Sequence, residues 1–524
     1  MTKKAFAGLF IAALAGALAF RFVRADIRPM HHDEANQAVK IGDLLERGEY
    51  RFDPQDHHGP TLCYLTLPAA RAAGARTLAD LDETTLRAVP ALFGAGLLLL
   101  FLLFEGGISR EAALAAAALA AVSPALSYYS RFYIQETLLV FFLAALLGTG
   151  WRYARTRKAG WALAAGVSAG LMLATKETSL VLLAGLAAAF AVVAGLEALP
   201  SRRGRVVAAG DAWVWRDRRV GMPAAFHVAL FVIAAAAAAA LFYSSFLRHP
   251  EGLVDAFRAA GASIVRGARP DVHAHPWPWY FELLAWFRAG RGPVWSEGFL
   301  LFLALAGAVS ALVPDAGRKD SPRLLRFVLL FTIVTAAAYS LVPYKTPWNV
   351  LPFYFGLVLL AGSGAAALVR LARPRTLRTA VTLLLASGFA FQAFQAWRAN
   401  FRAAADPSNP YVYAQTVPDF LRLVAAVERA AADSPAGKGI FIQVVAPPDE
   451  TWPLPWYLRA YERVGYWTDP AGALAFAGTG EPAAVIASAG FAEEIGAALG
   501  EDYDQNYFGL RPEVPLCLFT RRAP

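Results

Sequence analysis

Residues 31–40 read HHDEANQAVK and come shortly after an apolar run. Two histidines, an aspartate and a glutamate stand side by side where the chain has just left that run. A carboxylate there can take a proton from an attacking hydroxyl or amine. The same loop carries Asp56, His57 and His58, so it holds four histidines and three acids in these two patches. Imidazole and carboxylate together suit zinc or manganese, which makes His31, His32, His57 and His58 candidate ligands of a divalent metal. No pair of histidines falls four residues apart on a clear helix, so the spacing does not demand a metal. Histidines that hydrogen-bond and shape a pocket account for the pattern as well.

Three further stretches each place a single cation between apolar runs: Arg131 in SYYSRFYIQET, Lys176 in ATKETS and Lys345 in VPYKTPWN. Ionisable groups at membrane depth are costly and usually face a cavity or a partner. The alternative is that each reaches out to lipid headgroups. Cations beside carboxylates at a membrane surface suit a sugar linked to lipid phosphate. Breaking the sugar–phosphate bond leaves a phosphate anion, which Arg or Lys stabilises as its charge develops. Asp33 and Glu34 supply a base for the acceptor, and Glu34 is also placed to support the site or a metal. Pro343 and Pro347 flank Lys345 and would stiffen its loop. Trp348 can stack on a sugar or anchor at the interface.

The elements that position these groups are apolar. The chain has 524 residues, 57% hydrophobic and 17% charged, against roughly a quarter charged in ordinary soluble proteins. Apolar runs fall at 5–23, 87–104, 111–127, 135–150, 161–175, 179–196, 223–246, 297–313, 326–342, 349–369 and 379–397. Several are short for a bilayer core, which needs about twenty helical residues; they are expected to extend into their loops. The first run is read as a retained span rather than a cleaved leader. Basic residues alternate between faces. One face carries twenty-one Lys and Arg, and the short loops of the other carry only Arg131, Lys176 and Lys345. The positive-inside rule then puts the N-terminus in the cytoplasm, and the candidate residues and the tail outside the cytoplasmic membrane. The net charge of +9 therefore reflects orientation, and nucleic acid is excluded as a partner.

The expected fold class is a polytopic α-helical membrane protein of about eleven spans with a C-terminal extracytoplasmic α/β domain. Residues 1–397 form the membrane domain, with long outer loops at 24–86 and 247–296, and residues 398–524 form the tail. In the first loop, Ala38, Ile41, Leu44 and Leu45 follow helical spacing until Gly48, and a second helix begins at Pro60. The later loop, HAHPWPWYFELLAWF, is rich in tryptophan, and its His273 and His275 read as interface residues. In the tail, KGIFIQVVAP and PAAVIASAG read as buried strands and DYDQNYFGLRPEVPLCLFTRR as a terminal hairpin. The two cysteines, Cys63 and Cys517, make no disulfide framework.

HHDEA, YYSRFYIQE and TKE, each placed after an apolar run, resemble the GT-C glycosyltransferases, which include the protein O-mannosyltransferases and the lipid A aminoarabinose transferases. HHGPTLCYL, YKTPWN, NPYVYAQT and WPLPWYLR more closely resemble a prokaryotic subfamily, some members of which are named flippase-activity-associated proteins. The resemblance covers nearly the whole chain and rests on the motifs in order. It implies inverting transfer from a polyprenyl-phosphate sugar to an acceptor protein, lipid or glycan at the outer membrane surface. By it, Asp33 matches the catalytic acidic position of the first outer loop, and Arg131 and Lys345 take donor-phosphate positions. Glu136, Lys176, Tyr129 and His58 become further substrate-binding candidates, although Lys176 and Glu177 would also serve merely as each other's ion pair. A flippase component that moves a lipid-linked sugar intact is the alternative. It should carry its charges at the bilayer midplane and contain inverted repeats, and no repeat is visible. A non-catalytic receptor would not need three separate cations.

Overall fold

A proline decides where one apolar run stops being a single helix. The stretch expected as a span over 111–127 is divided at Ser123, because Pro124 has no N–H to give to the carbonyl of Ala120. Arg21 takes over: its guanidinium, fully buried, donates to the carbonyls of Ala120 at 3.0 Å, Ala121 at 3.3 Å and Ala17 at 3.2 Å. The Ser123 hydroxyl then caps the helix that follows by accepting from Leu126 N at 3.2 Å.

The computed structural model describes residues 1–56, 58–198, 223–268, 273–313, 317, 319–476 and 480–522. The chain enters α1 (Lys3–Phe22), then α2 (His32–Glu46) and α3 (Thr61–Ala72), which occupy the first long loop. Next come α4 (Glu83–Leu100), α5 (Arg110–Val122), α6 (Pro124–Tyr129), α7 (Glu136–Thr156), α8 (Ala159–Leu173) and α9 (Ser179–Ala198). Beyond α10 (Pro223–Tyr243), α11 (Gly252–Ala268) and α12 (Trp279–Ala285) lie in the second long loop. Then follow α13 (Gly298–Leu312), α14 (Pro322–Leu341), α15 (Leu351–Leu371) and α16 (Arg375–Trp397). Among the described residues eight helices are long and apolar enough to cross a membrane: α1, α4, α7, α9, α10, α14, α15 and α16. α8 and α13 are apolar but shorter.

The chain divides into two compact units. The first holds Met1–Val23, Tyr50–Leu65 and Arg87–Arg402. Its helices meet closely where side chains are small. A Cβ added to Gly166 or Gly170, one turn apart on α8, would strike the carbonyls of Phe231 and Ala235 on α10. Gly307 of α13 and Gly364 of α15 lie in the same way against the carbonyls of Leu360 and Leu303. Small residues at such crossings let backbones approach where lipid supplies no hydrophobic drive between helices.

The second unit holds Arg24–Glu49, Thr66–Leu86 and Ala403–Pro524. A boundary drawn from composition at residue 397 leaves all of 24–86 with the spans; by contacts, 24–49 and 66–86 share a unit with the tail. Hydrogen bonds join them to it: Met30 N donates to Tyr457 Oη at 2.9 Å, Gln415 Nε2 to Pro29 O at 2.9 Å, and Arg459 Nη2 to Leu81 O at 2.6 Å. Trp456 Nε1 donates to Glu83 Oε1 at 2.8 Å.

The tail begins with α17 (Phe420–Ala432), followed by β1 (Phe441–Val445), α18 (Pro448–Thr451), α19 (Leu454–Tyr457) and β2 (Arg463–Trp467). After these come α20 (Pro470–Leu474), β3 (Ala484–Ser488), α21 (Ala492–Leu499), β4 (Tyr503–Arg511) and β5 (Val514–Arg521). The sheet order is β2-β1-β3-β5-β4; β1 runs parallel to β2 and β3, and β5 antiparallel to β3 and β4. Successive strand residues face opposite sides. Ile442, Val444, Leu516 and Leu518 therefore pack in one core with Phe420, Leu423 and Val427 of α17. Val445, Val485, Cys517 and Phe519 pack in another with Ile495 of α21. Strands buried on both faces read as continuous apolar runs, so β1 and β3 were legible, while the hairpin was marked by the apolar run of β5 and the turn before it, with β4 largely exposed. β2 is a half-exposed edge with Arg463 and Gly465 in it, and carries no such signal.

Candidate active site

The acidic patch lies in the second unit, and a helix start sorts its members. His31 is the N-cap of α2: its Nδ1 accepts from Asp33 N at 3.0 Å. Its Nε2 stands 3.1 Å from Tyr413 O, a carbonyl that can only accept. The imidazole is therefore neutral with its proton on Nε2. Burial pushes its pKa below the ordinary histidine value, against the raising influence of Asp33 and Glu34. Glu34 closes a capping box by accepting from His31 N at 3.1 Å, and its other oxygen lies 3.8 Å from Arg28 Nη2. The Glu34 side chain is wholly buried, whereas that of Asp33 is 45% exposed. One of the two neighbouring carboxylates thus builds the helix start, and the other is presented to solvent from its first turn. His32 packs its ring beside Trp452, 5.9 Å between centroids.

The three cations lie in the first unit, and all are buried. That is the opposite of reaching for headgroups, which requires an exposed charged tip. Arg131 donates to the carbonyls of Phe20 and Val23, both at 2.8 Å, at the C-terminal end of α1, and sits over the Phe401 ring at 4.8 Å. Lys345 donates from Nζ to His275 O at 2.9 Å and to Val342 O at 2.5 Å. Its loop pairs by backbone with residues 273–275, through Lys345 N to His273 O and His275 N to Pro343 O. His273 and His275, read from sequence as interface residues, thus belong to the cradle of Lys345. Burial lowers the Lys345 pKa.

Lys176 and Glu177 do not pair with each other. The Lys176 ammonium forms its ion pair with Glu136, at the first turn of α7, and Glu177 bonds His58 Nδ1 at 3.0 Å. Successive residues in the turn between α8 and α9 point to different neighbours, which the sequence does not reveal. Burial pushes the Glu177 carboxyl up, but the charge and hydrogen bond of His58 outweigh it and hold it below the usual range. Glu136 Oε2 and Glu177 Oε1 are buried with no hydrogen-bond partner among the described residues. His58 is the exposed end of this network, 34% of its side chain open. Tyr129 is fully buried and meets Trp348 edge-on at 6.2 Å.

His57 lies outside the described residues. Among the described residues, no three His, Cys, Asp or Glu side chains are grouped to hold a metal. One buried carboxylate escaped the sequence reading. Glu297, at the start of α13, accepts from Tyr354 Oη at 2.7 Å, Gln392 Nε2 at 2.6 Å and Ala125 N at 3.1 Å. Its only sequence signal was an acid opening an apolar run.

Residues 68–207 match the family model "Dolichyl-phosphate-mannose-protein mannosyltransferase". The fold matches that of ArnT from Cupriavidus metallidurans, solved bound to undecaprenyl phosphate, with a TM-score of 0.65, 15% identity, and coverage of 100% of this chain and 99% of that one. The S. cerevisiae Pmt1-Pmt2 complex, solved with its sugar donor, matches at a TM-score of 0.57 and 11% identity over 82% of this chain and 92% of that one. AglB from Archaeoglobus fulgidus, solved with an inhibitory peptide and a dolichol-phosphate, matches at 0.56 and 15% identity; 90% of this chain covers 65% of that one. No curated protein matches the chain significantly. The family model covers residues 68–207 alone, and at 11–15% identity the solved structures share the fold along most of the chain.

Proposed function

We propose that the protein transfers a sugar from a polyprenyl-phosphate donor to an acceptor on the outer face of the cytoplasmic membrane. The observation that carries this reading is the fold shared along the full length of both chains with a protein solved on undecaprenyl phosphate. Asp33 is the exposed carboxylate of its patch, held at the first turn of α2. It takes the proton from the acceptor hydroxyl or amine as that group attacks the anomeric carbon. The bond from that carbon to the phosphate oxygen breaks with inversion, and its electron pair leaves on polyprenyl phosphate.

Lys345 is the cation best suited to meet that phosphate. An ammonium has three protons to donate, and two go to carbonyls. The third remains for a phosphate oxygen in a desolvated setting, where such a bond is strong. Arg131 braces the end of α1 from the same membrane unit. Glu136 Oε2 and Glu177 Oε1 are acceptors suited to sugar hydroxyls. The cation-poor loops that carry these groups are outside by the positive-inside rule.

The test uses protein reconstituted in lipid with radiolabelled polyprenyl-phosphate sugars, scored for free polyprenyl phosphate with and without chelator. Release is expected in the wild type and lost in Asp33→Asn. Chelator-sensitive release would assign a divalent metal to the site. Transbilayer movement of an intact donor without release would replace the transferase with a flippase component.

A further inference from the structure

At the other end of α7 from Glu136, four helices of the first unit leave a cavity of about 360 Å³, within the range of small-molecule sites, about 300–1,000 Å³. α7, α9, α10 and α14 wall it with apolar side chains, among them Leu147, Leu186 and Phe231. Arg157 and Arg323 border it. Arg157 follows the last turn of α7, roughly 30 Å along the helix axis from Glu136, so the cavity is separate from the candidate active site.

Both arginines stand where helix chemistry favours other residues. Arg157 is the C-cap of α7 with φ +53°, the left-handed conformation that glycine adopts most easily. Arg323 is the second residue of α14, where the helix dipole already presents positive charge. Their surroundings are built. Tyr153 Oη lies 3.3 Å from His227 Nδ1, and the Arg157 guanidinium stacks over the Tyr153 ring at 5.3 Å. Ser321 caps α14 by accepting from Leu324 N at 3.4 Å.

We propose that this cavity is a binding site for one anionic phospholipid, its acyl chain between α7, α9, α10 and α14 and its phosphate at Arg157 and Arg323. The occupant follows from charge complementarity: an apolar slot between membrane helices with two cations at its edge fits an anionic lipid and gives a zwitterionic one no advantage. Each basic side chain near an anionic lipid surface strengthens attraction severalfold, and two give about a thirtyfold preference.

The full chain, purified from nanodiscs holding equal phosphatidylglycerol and phosphatidylcholine, is examined by native mass spectrometry for retained lipid. Wild type is expected to keep phosphatidylglycerol about thirtyfold over phosphatidylcholine. Arg157→Gln with Arg323→Gln should bring the ratio near one while sugar release persists. Leu186→Trp, which fills the slot and leaves both charges, should reduce retention of either lipid. Equal retention by wild type, or a preference that survives the double substitution, overturns the proposal. Displacement of phosphatidylglycerol by polyprenyl phosphate overturns it too, by making the slot a place for the donor's tail.

Discussion

Two places in this molecule set ionisable residues side by side, and the fold separates them in different ways. At the start of α2, the helix decides: His31 and Glu34 satisfy the first turn's backbone, and Asp33 between them is left exposed. In the turn between α8 and α9, the neighbouring helices decide: Lys176 goes to Glu136 and Glu177 to His58. The first place is largely closed, since each ring nitrogen of His31 and each oxygen of Glu34 has a contact. The second is open, with one buried oxygen on each of its glutamates lacking a partner among the described residues. Adjacency in sequence says little about shared work. Burial and the count of satisfied atoms separate groups that build the scaffold from groups left for a ligand.

The largest expected effect sharpens the contrast inside α2. Asp33→Asn should lower transfer about 10²–10⁴-fold, the span general-base catalysis contributes, with thermal unfolding unchanged. Glu34→Ala should do the reverse. It removes a cap and takes away the carboxylate 3.8 Å from the buried Arg28 guanidinium, a loss of about 1–2 kcal/mol from the cap alone. The loss is read from unfolding in detergent, and transfer per folded molecule should stay well above that of Asp33→Asn. Equal loss of transfer in the two variants would break the comparison.

A smaller effect tests the sorting in the α8–α9 turn. Lys176→Met leaves Glu136 as an uncompensated buried charge and should destabilise by about 3–5 kcal/mol. Adding Glu136→Leu should recover most of it. The same cycle with Glu177→Gln should give a smaller coupling energy than the Glu136 cycle, because Lys176 acts on Glu177 through charge alone and forms its ion pair with Glu136. A strong Lys176–Glu177 coupling with none to Glu136 would reverse the pairing described above.

These two places also mark where sequence reading succeeds. Of the eleven spans expected, eight coincide with helices long and apolar enough to cross a membrane among the described residues, because some twenty apolar residues in a row have few other uses. β1 and β3 were found because they are buried on both faces, and the hairpin through the apolar run of β5 and the turn before it, its β4 being largely exposed. Apolar periodicity failed at 111–127, where the single Pro124 outweighs the hydropathy of the run. It missed β2, an edge strand with a mixed face, and α11, whose exposed Phe257 and Ile264 lie on one side of a helix that also carries Arg258 and Asp255. At the site, the sequence supplied the residue types but not their partners. HHDE reads as one acidic patch, and nothing in it says that His31 caps the helix on which Asp33 stands. The cradle of Lys345 comes from residues 273–275, some seventy positions away, and a single sequence has no record of such contacts.

The smallest effect is in pH. The His31 imidazole is held neutral, below its ordinary value of about 6.5. Above that value both folded and unfolded chains leave it neutral, and its contribution to stability is complete. As pH falls through 6.5 the unfolded chain takes up a proton that the folded chain refuses, so stability declines toward the folded pKa. Protonating Nδ1 would also remove the acceptor that caps Asp33 N. Glu177 acts in a separate window: its depressed pKa adds stability above the unfolded carboxylate value of about 4.3, lost as pH falls through the folded value. Unfolding followed from pH 7.5 to 5.5 should therefore show a decline that His31→Asn removes, because asparagine caps a helix without titrating in that range. A decline of the same size in His31→Asn would mean that another group carries it, and that the neutral His31 cap does not govern how α2 presents Asp33 in mild acid.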